Sequence, residues 1–203
     1  MIAYRRRLLV AIILASLLPW GTLGINVLET ASPIGSQHLK LTFDLGLTTS
    51  ESGGATSWHF APQLRLALGI ADGIDLALQG GAISTLGAND ARFLGAILDA
   101  KFMLTDVPGM YAMAWGAGGG YGLSFLGEDW GVFAQFLFES HARLFPIYFV
   151  YRGILPIDGG GIRFEPYVAV GVDLSLSSTA QLLLGVDVYQ GAVSVGLGLA
   201  IAF

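Results

Sequence analysis

Apolar residues alternate with small or polar ones along nearly the whole chain after residue 37. A period of two residues is typical of a β-strand whose two faces meet different surroundings. Ten segments follow this period: 38–48, 57–70, 74–84, 92–104, 110–121, 130–144, 147–156, 162–176, 180–190 and 192–203. Each segment reaches the roughly 9–11 residues that a tilted strand needs to cross a bilayer. The pattern therefore predicts an all-β protein with ten strands.

Composition narrows the kind of all-β protein. Only 12% of the residues are charged, whereas about 25% is usual. Hydrophobic residues make up 54%, yet no apolar run long enough for a spanning helix occurs after the first two dozen residues. Apolar content dispersed in this way, together with 29 glycines, favours a transmembrane antiparallel up-and-down β-barrel. Ten strands are expected, with eight or twelve as alternatives, and connections of alternating length fit this topology.

The N-terminus has the pattern of a secretion signal. A basic stretch (4–7) precedes an eleven-residue apolar stretch (8–18) and a small-residue region ending at Gly24. We expect residues 1–24 to be a signal peptide, with a retained anchor helix as the alternative, residues 25–37 to be a short periplasmic lead, and residues 38–203 to form the barrel. Without the signal the net charge is −8, since seven basic residues face 15 acidic ones. No basic patch remains, so nucleic acid is excluded as a partner.

The last strand carries a resemblance. Large apolar residues alternate with small ones up to the final residue, as Leu197, Leu199, Ile201 and Phe203. Over its full length the chain resembles small bacterial outer-membrane β-barrel proteins. The resemblance implies a place in the outer membrane, and it implies that the four terminal residues are an assembly signal read by the barrel assembly machinery. Expected partners are outer-membrane lipid and lipopolysaccharide, whose phosphate Arg92 is placed to meet unless it is a solvated loop residue. We expect a monomer.

Aromatic residues cluster near the predicted strand ends, where interfacial girdles belong. The outer set is Trp58, Phe60, Tyr121 and Trp130, and the inner set is Phe102 and Tyr111 together with Phe203. The alternative is plain packing of each ring.

The alternation of faces along each predicted strand places nearly all strand charges on the inward face. An unpaired charge is unfavourable there. Hairpin geometry suggests which charges meet. Folding the chain about 145–146 sets Glu139 opposite Arg152, and folding it about 158–159 brings Arg152 near Glu165. Two lumen clusters are therefore predicted: Asp44–Arg65–Gln79 and Glu139–Arg152–Glu165.

These clusters either plug a barrel or line a narrow pore. Ten strands are close to the number whose interior side chains fill. Bulky residues predicted to point inward are Phe93, Ile97, Met103, Phe133, Leu137, Tyr148, Val150 and Leu183. Inward glycines such as Gly69, Gly171 and Gly185 favour a thin lumen instead.

Signals for catalysis are weak. His141 lies beside Glu139 with Ser140 on the opposite face, and His59 shares a face with Ser57 but has no evident acid. No cysteine and no metal-ligand spacing occur, and the glycine-rich stretch 116–122 lacks the lysine and helix of a phosphate loop. We expect no enzyme, cofactor or metal. The favoured function is a structural barrel or a narrow passive pore for small polar solutes. The alternative is surface interaction through the acidic loops 49–56, 85–91 and 122–129, followed by a barrel hydrolase acting on membrane lipid.

Overall fold

The computed structural model describes residues 28–52, 55–89, 91–122, 130–142, 146–157, 164–189 and 192–203. Its strands are β1 (Leu39–Ser52), β2 (Ala55–Ala71), β3 (Ile74–Thr85), β4 (Arg92–Val107), β5 (Tyr111–Gly122), β6 (Trp130–Ser140), β7 (Ile147–Ile157), β8 (Glu165–Ser175), β9 (Ala180–Tyr189) and β10 (Ala192–Ala202). Each strand pairs antiparallel with its sequence neighbours, and β10 pairs with β1. The predicted closed ten-stranded barrel is confirmed. Within the described part of the chain, no helix has the length and apolarity to cross a membrane.

The barrel wall has an apolar outer face and an inner face on which polar and apolar side chains are both present. On β2 the side chains of Leu64 and Leu66 are exposed, whereas Gln63 and Arg65 between them are buried. This distribution is the reverse of a soluble sheet, in which apolar side chains point to the core. Outward apolar residues are the pattern of a barrel surrounded by lipid.

The closing seam joins the first and last strands. Leu199 lies opposite Phe43, and Leu197 lies opposite Leu45, so apolar side chains pair on the outer face. The Phe203 amide donates to the Leu39 carbonyl at 2.8 Å, which continues the ladder to the last residue. The predicted assembly signal is therefore an exposed apolar row on a fully paired strand, and its recognition by assembly machinery stays a prediction.

The predicted interfacial aromatics lie on the outer face. Trp58, Tyr121, Trp130 and Phe102 are exposed, and Phe60 and Tyr111 are half-buried. Neighbouring rings touch, since Tyr121 and Trp130 have ring centroids 5.9 Å apart across β5 and β6. Their contact with a lipid interface stays a prediction.

Irregular pairing along β4 contradicts the predicted inward position of one side chain. Gly81 pairs with Gly95 but Ala82 pairs with Phe93, so Leu94 is an extra residue in the ladder. A bulge of this kind reverses the side-chain parity beyond it. The prediction that Phe93 points inward is therefore wrong, because its side chain is 68% exposed. A second irregularity at Met103 leaves that side chain 36% exposed.

Two predicted boundaries also change. Residues 49–52 and 55–56, expected in an acidic loop, extend β1 and β2. Strand β6 ends at Ser140, so residues 141–146 connect it to β7 where a two-residue turn was expected. The end of the barrel at which β1 begins and β10 ends also carries the connections 72–73, 108–110, 141–146 and 176–179. Most of the acidic loop 122–129 lies outside the described residues.

A tight contact inside the wall gives a stability prediction. A Cβ on Gly171 would meet the ring of Tyr148, which is fully buried. Gly171→Val should therefore destabilise the barrel by about 1–3 kcal/mol, in the range of overpacked cores. Urea titration of the refolded protein in lipid vesicles measures this. Gly80→Ala, whose added Cβ would meet its nearest atom at 3.5 Å, is the control and should change little. Equal effects would contradict the packing of Tyr148.

Candidate functional site

The lumen contains a segment of the chain itself. Residues 28–36, here the plug segment, run inside the barrel before β1 begins. Leu28 is 3% exposed and Ala31 is fully buried, although neither belongs to a strand. The prediction of a periplasmic lead over 25–37 is therefore wrong for this part, because the segment turns back into the barrel.

Small wall residues make room for this segment. A Cβ on Gly198 of β10 would lie 2.7 Å from a Leu28 methyl carbon, and a Cβ on Gly185 of β9 would lie 2.7 Å from the other. Larger residues would displace Leu28 at both places. At the barrel end where β1 begins, the Gln37 amide donates to the Gly69 carbonyl at 2.8 Å, which ties the chain directly after the segment to β2. The thin lumen suggested by inward glycines is filled by the chain's own backbone.

Glu29 is the central side chain of the plug segment. Its Oε1 lies 2.8 Å from Arg65 Nη2 on β2, and its Oε2 accepts a hydrogen bond from Gln135 Nε2 on β6 at 3.1 Å. Gln135 in turn accepts from Arg152 on β7. Because β2 and β7 stand five strands apart in a ring of ten, Glu29 connects opposite walls of the barrel.

The first predicted cluster forms in part. Arg65 lies opposite Gln79, with Nη1 at 3.5 Å from the amide oxygen. Its main partner is Asp99 on β4, at 2.6 Å from Nη1 and 2.8 Å from Nη2, a two-point carboxylate pair. Asp44 lies opposite Gln63 instead, and its Oδ1 has no hydrogen-bond partner among the described residues.

The second predicted cluster is changed by register. Arg152 lies opposite Gln135, and Glu139 lies opposite Tyr148. The longer connection 141–146 shifts the β6–β7 pairing by four residues, which moves Glu139 about 13 Å along the strand from the predicted contact. The opposition of Glu139 and Arg152 is therefore wrong. Glu165 lies opposite Ile154, two residues from Arg152, and its carboxylate accepts from the Tyr189 hydroxyl.

Arg152 is held by both polar and aromatic contacts. Its Nε and Nη2 donate to Gln135 Oε1 at 2.9 and 2.6 Å, and its guanidinium carbon lies 4.0 Å from the Phe133 ring centroid. An arginine has only donors, so these bonds fix the Gln135 amide with its oxygen toward Arg152 and its nitrogen toward Glu29.

A double-mutant cycle tests this register. Alanine at Gln135 and at Arg152 should show a coupling of about 1–2 kcal/mol, since the two side chains share hydrogen bonds. Alanine at Glu139 and at Arg152 should be additive within about 0.5 kcal/mol, since these residues share no pairing position. Unfolding in urea measures both cycles. A larger coupling for Glu139 than for Gln135 would contradict the observed pairing.

Near the barrel end at which β1 begins, the wall binds the backbone of the plug segment. Lys101 Nζ donates to the Thr30 carbonyl at 3.0 Å and to the Ser32 carbonyl at 2.9 Å, and it lies 3.1 Å from Asp75 Oδ2. The Ile34 amide lies 3.3 Å from both Asp75 oxygens. One ion pair of the wall therefore binds carbonyls with its cation and an amide with its carboxylate.

Ser32 and His141 make a contact that resembles hydrolase chemistry. Ser32 Oγ lies 3.1 Å from His141 Nε2, and His141 Nδ1 lies 3.9 Å from Asp106 Oδ1. The second distance exceeds a hydrogen bond, so the acid does not orient the imidazole. The Ser32 amide, which would stabilise an oxyanion, donates to Glu139 at 2.9 Å, and that carboxylate opposes negative charge there. The arrangement fastens the plug segment and lacks the parts of an acyl-transfer site.

A small cavity lies beside the plug segment. A cavity of about 20 Å³ lies between Glu29, Lys40, Arg65 and Lys101, which is room for about one water molecule. Among the described residues no group of three or more histidine and acidic side chains is placed to hold a metal ion. The described lumen therefore combines buried polar side chains around Glu29 with a cluster of buried apolar side chains.

Sequence reasoning missed Glu29, Ser32 and Gln135 as site residues. The one available signal is that Glu29 is the single charged residue between the predicted signal and the first strand. Nothing in its local pattern shows that it enters the barrel.

Comparison with known proteins bears on the fold. The sequence matches no protein-family model, and no curated protein matches it. Among solved structures, the COG4313 outer membrane channel from Pseudomonas putida F1 is 12% identical with a TM-score of 0.52, covering 89% of this chain and 100% of that one. The KdgM porin is 6% identical with a TM-score of 0.42, covering 81% and 99%. The N-terminal β-barrel domain of Pseudomonas aeruginosa OprF is 14% identical with a TM-score of 0.35, covering 83% and 99%. The chain thus has the fold of an outer-membrane β-barrel protein.

Proposed function

We propose that this protein is an outer-membrane channel for small polar solutes and that its plug segment closes the lumen in the described state. The observation that carries the proposal is the way the plug segment is held. Apart from the packing of Leu28 against wall glycines, its contacts with the wall are ion pairs and hydrogen bonds from Arg65, Gln135, Lys101, Asp75 and Glu139. Such contacts exchange readily with water, so the segment can leave without disturbing the wall.

The buried charges of the lumen favour transport over a purely structural role. Buried ion pairs are weak evidence of stability, because well-packed apolar residues of similar volume often stabilise a protein at least as well. Arg65, Asp99, Lys101 and Asp75 nevertheless line the interior as pairs. Charged pairs of this kind stay hydrated in a water-filled passage once the plug segment is absent, as the polar interiors of channels do.

The outer face supports placement in a membrane. Exposed leucines and phenylalanines cover the wall, and aromatic residues lie near both ends of the strands. Within this proposal the protein contacts outer-membrane lipid and lipopolysaccharide, and its last strand is recognised during assembly. The likeness to a solved outer membrane channel supports the same class of protein through the fold alone.

Single-channel conductance tests the proposal. Residues 25–203, refolded into a planar bilayer, should be closed most of the time with rare discrete steps. Glu29→Lys sets an ammonium group against Arg65, so this variant should show frequent steps of reproducible size. Conductance at fixed voltage measures both.

Asp72→Lys makes the same charge change in the exposed turn 72–73 and should behave like the parent chain. A heat-dependent gel shift confirms folding of each variant. Folded protein that is silent with either residue at position 29 would overturn the channel and leave a structural barrel.

A further inference from the structure

The contacts of Glu29 resemble those of a ligand in a binding site. The two Glu29 oxygens each take one donor, Arg65 Nη2 at 2.8 Å and Gln135 Nε2 at 3.1 Å, from walls that are four strands apart. We propose that these donors form a site for the carboxylate of a small organic acid, and that Glu29 occupies it as an internal substitute. The inference rests on the proposed function, because a solute reaches the site only when the plug segment leaves.

The donors are held in position without Glu29. Asp99 accepts from both Arg65 nitrogens, at 2.6 and 2.8 Å, so the guanidinium plane is fixed by the wall. Arg152 donates twice to Gln135 Oε1, which keeps the amide nitrogen directed at the centre of the lumen. A preorganised site loses little free energy to reorganisation when a ligand binds. Departure of Glu29 therefore leaves both donors aimed at the same point.

Local charge favours an anion at that point. Arg65 contacts Glu29 directly, and the Arg152 guanidinium lies behind Gln135, to whose amide oxygen it donates twice. Both guanidinium groups are fully or nearly fully buried, so a negative charge between them is attracted more strongly than in bulk water.

The rest of the wall limits which anion fits. Within the described part of the lumen the carboxylates outnumber the cations: Asp44, Asp75, Asp99, Glu139, Glu165, Asp173 and Asp187 face Lys40, Arg65, Lys101 and Arg152. A ligand with several negative charges is repelled by this excess, whereas a single carboxylate gains the central contacts and meets less repulsion. The ligand class is therefore a small monocarboxylate.

Chemical rescue tests the site in the full mature chain. Glu29→Ala leaves a carboxylate-sized space between Arg65 and Gln135, and acetate is the probe. Acetate should raise the thermal unfolding midpoint of Glu29→Ala by about 3 °C at tenfold excess over its dissociation constant, relative to chloride at equal ionic strength. The parent chain and Glu29→Gln, whose amide fills the space, should show no acetate-specific shift. Acetamide, which lacks the charge, should not replace acetate.

Further variants keep the test decisive. Adding Gln135→Leu to Glu29→Ala should abolish the acetate shift. If Glu29→Ala refolds poorly, acetate present during refolding should raise its folded yield, and Glu29→Ser should show the same shift. Acetate that changes neither the midpoint nor the yield of either variant would overturn the carboxylate site.

The outcome is separable from that of the channel. Rescue is measured in folded protein and needs no current. A shift with acetate in a silent barrel would retain the binding site and remove the channel. Discrete steps from Glu29→Lys without any acetate shift would retain the channel and remove the carboxylate site.

Discussion

Arg65→Met is expected to destabilise the folded barrel by about 3–5 kcal/mol, because it leaves buried carboxylates without their cation. Arg65 lies between Asp99, whose side chain is fully buried, and Glu29, whose side chain is 5% exposed. Methionine restores much of the volume but supplies no charge, so both carboxylates keep the full penalty of desolvation. The free energy of unfolding in urea, measured after refolding into lipid vesicles, reports the loss.

Lys40→Met is the matched control for this change. Lys40 also faces the lumen, but it donates to the neutral Gln181 amide at 2.8 Å and is only half-buried. Its loss should therefore weaken the barrel by about 1 kcal/mol, the typical contribution of one hydrogen bond. An effect of Arg65→Met no greater than that of Lys40→Met would contradict the central position of Arg65.

Glu29→Lys is expected to release the plug segment. The change removes the attraction to Arg65 and sets two like charges against each other, which together amount to several kcal/mol. A loss of about 3 kcal/mol corresponds to about a 100-fold increase in the open population. The chain contains no cysteine, so a single thiol introduced as Ala31→Cys reports on this population alone.

Labelling by a water-soluble thiol reagent is the measurement. In the Glu29→Lys background the Ala31→Cys thiol should react about 100-fold faster than in the parent background, since local opening limits its reactivity. Asp72→Lys in place of Glu29→Lys should leave the rate unchanged. Similar rates in all three backgrounds would mean that Glu29 does not hold the segment.

Strand architecture follows from the sequence because it depends on a local signal. Alternation of residues such as Leu64, Arg65 and Leu66 sets which side chain faces lipid and which faces the lumen. The parity of a strand is decided by its own residues, so the inward positions of Asp99 and Lys101 follow without knowledge of neighbouring strands.

Register depends on the connections, which carry a weaker signal. The break near Pro146 is visible in the parity of the pattern, but the length of the connection is not. Strand β6 stops at Ser140, and the resulting shift exchanges Glu139 for Gln135 as the residue opposite Arg152. The bulge at Leu94 instead changes the face to which Phe93 points. Neither irregularity is visible in the alternation that predicts the strands.

The plug segment was beyond prediction for a different reason. Its residues show neither a period of two nor a helical period, so its position is decided only by tertiary contacts with the finished wall. Leu28 needs the space at Gly185 and Gly198, and Glu29 needs the donors of two distant strands. These contacts depend on the relative positions of distant strands, which the local sequence pattern does not give.

The position of the plug segment is tested most directly by comparing two single-cysteine proteins. Each is the mature chain with one substitution and no other change. One carries Ala31→Cys in the plug segment, and the other carries Ala88→Cys in the exposed connection between β3 and β4. If the lumen is closed by residues 28–36, a membrane-impermeant thiol reagent should label position 31 at least about 100-fold more slowly than position 88. Equal labelling rates in folded protein would contradict the account, because they would place the segment outside the barrel.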